Sequence, residues 1–134
     1  MHADNRLWTE IQICSDPAEC PRIRRLVSRL ATAKLRDRAA AGDITLAVGE
    51  AFSNAIKYGS QGKISVMVDA MSPREIVVEM RYPGGRFDTH IRYPSEPASG
   101  DGGFGRYIMD EVLDGMEYSF DDGCTCVRMH KKLS

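Results

Sequence analysis

The stretch that decides the fold of this chain is residues 43–59, with the sequence DITLAVGEAFSNAIKYG. Its apolar side chains recur at the i, i+3, i+4, i+7 spacing that places them on one face of a helix; they are Ile44, Ala47, Val48, Ala51, Phe52 and Ala55. Asp43 has the chemistry of an N-cap, and Gly59 that of a residue ending a helix. The sequence therefore predicts an amphipathic helix between these two residues.

Three polar residues, Glu50, Asn54 and Lys57, fall on a neighbouring stripe of the same helix. The spacing of four residues stacks the Glu50 carboxylate over the Asn54 carboxamide. Oxygen ligands of this kind can hold a hydrated Mg²⁺ at the edge of a buried helix. The alternative is an ordinary helix whose Glu and Asn are only solvated.

Composition sets the broad class of the protein. The chain has 134 residues, of which 28% are charged and 43% hydrophobic, and these values are ordinary for a single globular domain over residues 1–134. Its formal net charge of -1 argues against recruitment of nucleic acid or of an anionic membrane by an overall field. No apolar run approaches the length of a membrane span, so the expected location is the cytoplasm.

The N-terminal part of the chain predicts a strand followed by a helix. Residues 7–14 alternate in polarity as a strand does, and Asp16-Pro17-Ala18-Glu19 is a helix-start signal with an acidic cap and a proline at the first position. The predicted helix has an apolar face and a basic face, the latter with Arg22, Arg25, Arg29 and Arg36. The basic face is either solvated or meets an acidic partner.

The rest of the chain predicts two antiparallel strand pairs with a helix between them. The first pair is residues 63–70 and 76–81, with a turn at 72–74, and residues 82–86 are expected to break its second strand into a loop. Residues 89–103 have the Pro, Ser and Gly composition of a mobile lid. A helix over 104–113 follows, and residues 116–121 and 124–132 close the chain as a hairpin.

A glycine cluster, GDGGFG at residues 100–105, opens that last helix. Glycines let the backbone approach a ligand, and free N–H groups at a helix start attract phosphate. The match to G-x-G-x-x-G is accidental, because no strand precedes it and no parallel βαβ unit surrounds it. The plainer alternative is a flexible hinge.

The four cysteines are Cys14, Cys20, Cys124 and Cys126. A shared metal site is conceivable if the first and last strands meet. The favoured interpretation is reduced thiols that pack as small hydrophobic groups.

Taken in order, these motifs resemble the GHKL ATPases, and within them the single-domain anti-sigma-factor serine kinases (RsbW-like). Residues 46–55, LAVGEAFSNA, resemble the N box of that family. Residues 102–109 resemble its second glycine box, and residues 123–129 its closing strand. Gly84, Phe87 and Asp88 match its first glycine box. The resemblance covers nearly the whole chain.

The resemblance implies an α+β fold, a two-layer α/β sandwich of the GHKL (Bergerat) type with helices on one face of a mixed, mostly antiparallel sheet. It implies that ATP and Mg²⁺ bind, with Asn54 as metal ligand and Glu50 as catalytic base. Backbone N–H groups of the second glycine box would cradle the phosphates, and Thr125 would lie near the adenine. The full set of residues expected to contact the nucleotide is Asn54, Lys57, Gly84, Gly102, Gly103, Phe104, Gly105 and Thr125.

The sequence departs from the family pattern at the residue that recognises the adenine base of the nucleotide. The family's first glycine box usually carries an Asp that accepts a hydrogen bond from the adenine amino group, but Tyr82 and Pro83 occupy the corresponding positions here. Hydrogen bonds to charged groups contribute roughly 1.5–3 kcal/mol, so the loss of this one is expected to weaken nucleotide binding about tenfold to a hundredfold.

Two functions of different classes follow from the resemblance. The first is an ATP-dependent serine kinase that acts as a homodimer, sequesters a sigma factor and phosphorylates a STAS-type anti-anti-sigma protein, without binding nucleic acid or membrane itself. The second is a non-catalytic protein-interaction module on the same fold, with a degenerate nucleotide pocket. The Glu50/Asn54 pair favours the first function, and the missing Asp favours the second.

Overall fold

Five strands form one sheet with the order β1-β2-β3-β5-β4, and every neighbouring pair in this described sheet is antiparallel. The strands are β1 (Trp8–Cys14), β2 (Lys63–Asp69), β3 (Glu75–Pro83), β4 (Gly115–Asp121) and β5 (Cys124–Lys132). The order is non-sequential because the β4–β5 hairpin turns back and places β5, not β4, beside β3.

The computed structural model describes residues 8–35, 37–59, 62–72, 74–84 and 103–132. The predicted lid, most of the first glycine box and Gly102 lie outside the described residues, as does Arg36.

Within the described residues, three α-helices cover one face of the sheet: α1 (Cys20–Leu35), α2 (Arg38–Tyr58) and α3 (Gly103–Val112). Alternate residues of β3 are fully buried under them, namely Ile76, Val78, Met80 and Tyr82. On the opposite face of the sheet, Glu79 forms an ion pair with Arg128 at 3.6 Å, and the Glu75 carboxylate lies 3.3 Å from the His130 ring. The predicted two-layer α+β architecture is therefore confirmed, with a sheet that is wholly antiparallel where it is described.

The start of α2 was predicted wrongly. The N-cap is Asp37, whose Oδ1 accepts a hydrogen bond from the Ala40 N–H at 3.1 Å, and Asp43 lies inside the helix. Alanines at 39–41 have the highest helix propensity and outweigh the penalty of Gly42, which is about 1 kcal/mol. Ala40 and Ala41 are also buried, so the extra turn adds to the core.

The C-terminal end of α2 and the start of α1 agree with the predictions from the sequence. Gly59 is the residue at which α2 ends, and its N–H donates to the Ala55 carbonyl at 2.9 Å. Asp16 accepts from the Ala18 N–H at 3.0 Å and starts a short 3₁₀ turn, Pro17–Glu19, that leads into α1. The predicted apolar stripe of α2 is buried along its whole length.

The predicted loop at residues 82–86 begins two residues too early. Strand β3 continues through Tyr82, which pairs with Thr125, and Pro83, which pairs with Cys124. Proline is tolerated here because it is the last residue of the strand. The extension carries the inward–outward alternation of β3 one step further and turns the Tyr82 side chain toward the helices.

The β4–β5 hairpin is as predicted. Its two turn residues, Asp122 and Gly123, have φ angles of 52° and 76°. Positive φ at both central positions is the signature of a type I′ turn, which matches the twist of the strands it joins.

Lys131 of β5 ties the helical layer to the sheet. Its ammonium group donates to the Val112 carbonyl at the end of α3 at 2.7 Å and lies 3.1 Å from the Asp43 carboxylate of α2. Asp114 is a more distant partner at 3.9 Å. One side chain thus fixes the C-terminal end of α3 relative to α2.

All four cysteines are free. Strands β2 and β3 separate β1, with Cys14, from β5, with Cys124 and Cys126, so the sheet order does not bring the cysteines together. Within the described ranges, no group of three or more His, Cys, Asp and Glu side chains is placed to hold a metal ion. Across the same ranges, no helix combines the length and the apolarity that a membrane crossing requires.

Candidate functional site

The C-terminal end of α2 meets the sheet where β3 ends and β5 begins. Gly59 forms an isolated antiparallel bridge with Gly84. The Gly84 N–H donates to the Gly123 carbonyl at 2.7 Å, and its carbonyl accepts from the Thr125 hydroxyl at 2.6 Å. Gly84 and Thr125, predicted separately from distant parts of the chain, are therefore in direct contact.

Asn54 and Thr125 stand out by burial. They are 8% and 0% exposed, and within the described residues no other polar side chain except that of a tyrosine is buried. The Thr125 hydroxyl is satisfied by the Gly84 carbonyl, and Asn54 places a polar carboxamide at the edge of the core. Glu50 lies one turn before Asn54, about 6 Å along the helix axis, and is half-buried.

Tyr82 occupies the centre of this junction. It is 2% exposed, and its hydroxyl has no hydrogen-bond partner within the part of the chain that is described. A Cβ atom added at Gly59 would lie only 2.7 Å from the Tyr82 ring, so the glycine is needed for the ring to pack against the end of α2. Tyr82 is thus a buried residue packed against the end of α2, and with Pro83 it occupies the two positions at which the sequence lacks the expected Asp.

Burial strongly raises the pKa of the Tyr82 hydroxyl, and the nearby Tyr118 and Cys126 raise it further. The phenol is therefore neutral over the physiological range. A neutral phenol can both donate and accept a hydrogen bond, whereas an ionised Asp can only accept one.

The remaining predicted site residues lie on α3 and α2. Gly103, Phe104 and Gly105 form the first turn of α3, which packs against α2. Lys57 is exposed and lines a groove of about 330 Å³ on the α1 side of α2, together with Pro17, Cys20, Phe52, Ser53 and Ile56. Gly102 lies outside the described residues.

Two residues of the junction were not expected from the sequence. Gly59 was assigned only the end of a helix, and Tyr82 only the absence of an Asp. A signal for Tyr82 was present, because it continues the every-second-residue pattern of Ile76, Val78 and Met80.

Comparison with known proteins identifies the fold family. A model of the histidine kinase-like ATPase domain matches residues 13–131. The chain belongs to this family. No curated protein matched the sequence.

Solved structures agree on the fold. The histidine kinase domain of the Erythrobacter litoralis EL346 blue-light activated histidine kinase superposes with a TM-score of 0.57 at 17% identity, covering 90% of this chain and 62% of that one. The Acinetobacter baumannii histidine kinase AdeS gives a TM-score of 0.53 at 14% identity, covering 92% and 68%. The chain thus spans less than two thirds of the first of these structures.

Membership in a GHKL ATPase family implies a domain that binds ATP, usually with Mg²⁺. The residues present fit such a ligand. Asn54 offers an amide oxygen, a ligand type that Mg²⁺ accepts. Within the described ranges, the buried Tyr82 hydroxyl has no hydrogen-bond partner.

The raised pKa of Tyr82 has a consequence for stability at alkaline pH. A phenol that holds its proton more tightly in the folded state than in the unfolded state, where its pKa is about 10, stabilises the fold fully below that pH. We expect the free energy of unfolding to fall as pH rises above about 10, and to fall less in Tyr82→Phe. Urea unfolding of both proteins from pH 8 to pH 11 measures this, and identical slopes for the two proteins would contradict it.

Proposed function

We propose that this protein is an ATP-dependent protein serine kinase that acts as an anti-sigma factor in partner switching, with a STAS-type anti-anti-sigma protein as its phosphorylation substrate. The observation that carries the proposal is Asn54, a carboxamide buried on α2 one turn after the half-buried Glu50. The proposal also rests on membership in a kinase-like ATPase family and on the likeness of residues 46–55 and 102–109 to the RsbW-like kinases.

In this proposal the residues of α2 have separate tasks. The Asn54 side-chain oxygen holds Mg²⁺, and the Glu50 carboxylate accepts the proton from the serine hydroxyl of the protein substrate. Bound ATP supplies the phosphoryl group, whose transfer depends mainly on positioning and charge neutralisation.

The other residues bind and orient the nucleotide. Backbone N–H groups of Gly103, Phe104 and Gly105 would bind phosphate oxygens, because the first N–H groups of a helix such as α3 have no partner within it. Gly102, outside the described residues, is expected to add a further backbone N–H. Lys57 contributes a positive charge, and Gly84 and Thr125 line the base end of the site.

A second candidate function is a protein-interaction module that does not transfer phosphate. The observation favouring it is Tyr82, a bulky ring at the position of the usual carboxylate. The two functions differ in whether Glu50 and Asn54 have chemical roles.

The roles of Glu50 and Asn54 give a direct test of the kinase. Glu50→Ala should lower phosphoryl transfer to the STAS substrate by at least a hundredfold and leave nucleotide affinity within about threefold, because general-base catalysis contributes 10²–10⁴-fold. Asn54→Ala should weaken the Mg²⁺-dependent part of nucleotide binding itself. Radiolabelled phosphate transfer and calorimetry measure the two effects.

Glu111→Ala is the matched control, because Glu111 is an exposed glutamate on α3. The Glu111→Ala variant should change neither phosphoryl transfer nor nucleotide affinity. Equal phosphorylation by wild type and Glu50→Ala would remove Glu50 from the mechanism and favour the interaction module.

For partner binding, we propose a homodimer that captures a sigma factor and releases it to the STAS protein. The basic face of α1 is the proposed contact surface. Arg25 and Arg29 are exposed on it, while Arg22 is partly engaged by Glu19 at 3.2 Å. Charge gathered on one face of a nearly neutral protein steers association.

Reversal of that charge tests the surface. The double variant Arg25→Glu/Arg29→Glu should slow association with the sigma factor or the STAS protein at least tenfold at low salt, and less at high salt, where screening is stronger. Lys63→Glu/Arg74→Glu makes the same change in net charge at exposed positions elsewhere and should have a smaller effect. Equal rates for the two double variants would show that the arginine face is not the contact surface.

A further inference from the structure

We propose that Cys124 and Cys126 form a two-thiolate site for Cu(I) on the face of the sheet opposite the helices. This site is separate from the proposed nucleotide site, and the proposed kinase function does not require it.

The two thiols lie on the same face of β5. Successive residues of a strand point to opposite faces of the sheet. Thr125 alternates with Val127 and Met129, which are buried in the core beneath the helices. Cys124 and Cys126, on either side of Thr125, therefore share the other face. Both are free thiols, the first half-exposed and the second 9% exposed.

The distance between the two residues excludes a relaxed disulfide and suits a bridging ion. Residues two apart on a strand are separated by about 6.5 Å, whereas a disulfide needs Cβ atoms about 3.5–4.5 Å apart. The pairing of β5 with β3 and β4 keeps Cys124 and Cys126 in this extended geometry. Two metal–thiolate bonds of about 2.3 Å in a line span about 4.6 Å, which the sulfurs reach by leaning from their Cβ atoms toward each other.

The number of ligands selects the ion. Zn²⁺ takes four ligands in structural sites, but nowhere in the described part of the chain are three or more His, Cys, Asp and Glu side chains grouped to hold a metal. Cu(I) is a soft ion that prefers thiolate sulfur, and two thiolates in a line satisfy it. A pair of cysteines without a third ligand therefore favours Cu(I) over Zn²⁺.

The surroundings of Cys126 match the charge of the bound form. Binding makes two copper–sulfur bonds and releases both thiol protons to solvent, so the complex carries one negative charge. Arg81 lies directly across from Cys126 in the β3–β5 ladder, and Arg128 follows Cys126 by two residues on the same face. Burial and the Glu79 carboxylate raise the pKa of the Cys126 thiol, whereas the two guanidinium groups lower it. These guanidinium groups are therefore placed to stabilise the anionic complex.

The experiment is an anaerobic titration of the reduced full chain with Cu(I), in competition with the chromophoric chelator bicinchoninate. We expect one Cu(I) per chain at both low and high protein concentration, because both ligands belong to one chain. Even second-shell partners change metal affinity about 10–100-fold, so Cys124→Ser and Cys126→Ser, which each remove a direct ligand, should lower it by at least about a hundredfold.

The matched controls are Cys14→Ser and Cys20→Ser, which remove free thiols elsewhere in the fold. They should leave the Cu(I) affinity unchanged. Because Cys126 is nearly buried, thermal melting checks that its variant is folded, and Cys124→Ser tests the site at a more exposed position. X-ray absorption at the copper edge of the wild type needs no substitution and should show two sulfur neighbours, without nitrogen or oxygen ligands.

Three results would overturn the inference. One is a wild type that holds Cu(I) no more tightly than Cys124→Ser. Another is an equal loss of affinity in Cys14→Ser or Cys20→Ser, which would place the ion elsewhere. The third is copper bound by nitrogen or oxygen. None of them bears on the proposed kinase, because the two thiols and Thr125 of the candidate nucleotide site lie on opposite faces of β5.

Discussion

Burial of one face of α2 against the sheet is the constraint on which the rest of the structure depends. The stripe from Ile44 to Ala55 shares a single core with buried residues of β2, β3 and β5. Each fully buried Ile, Val or Phe of the stripe contributes about 1.5–3 kcal/mol, so the helix has only one favourable rotation about its axis. That rotation places Asn54 at the boundary of the core and leaves Glu50 half-buried beside it. The positions of both polar groups are thus consequences of apolar packing.

The junction at the C-terminal end of α2 is a second constraint. Gly59, Gly84 and Thr125 are held there by main-chain contacts and one short hydrogen bond. The Tyr82 ring packs beside them because Gly59 has no side chain to collide with it. The close approach of α2 and β3 at this point therefore depends on Gly59.

Much of the fold was predictable from local patterns. The apolar stripe of α2, the alternation in β1 and the Asp-Gly turn of the last hairpin are each specified within a few residues, and each is present. The errors came where two local signals competed. At the start of α2, Asp43 after Gly42 suggested a cap, but the preceding alanines continued the helix to Asp37. At the end of β3, Pro83 suggested a loop, but pairing with β5 kept it in the strand.

The arrangement of the candidate site residues was only partly predictable from the sequence. The contact between Thr125 and Gly84 joins residues 41 positions apart in the sequence, and no local pattern predicts it. The packing of Tyr82 on Gly59 depends on the angle at which α2 meets β3, which no short motif encodes. Partner choice depends on the surface of a second protein, so the sequence of this chain alone could support only a proposal about the basic face of α1.

The most direct test of a functional nucleotide site is calorimetric titration of wild-type protein with ATP, in Mg²⁺ and again after its removal by chelation. If Asn54 holds the metal in this site, binding is saturable with Mg²⁺ and at least tenfold weaker without it. Absence of any heat or thermal shift at millimolar ATP would contradict the site, and binding equally tight without Mg²⁺ would contradict the role of Asn54.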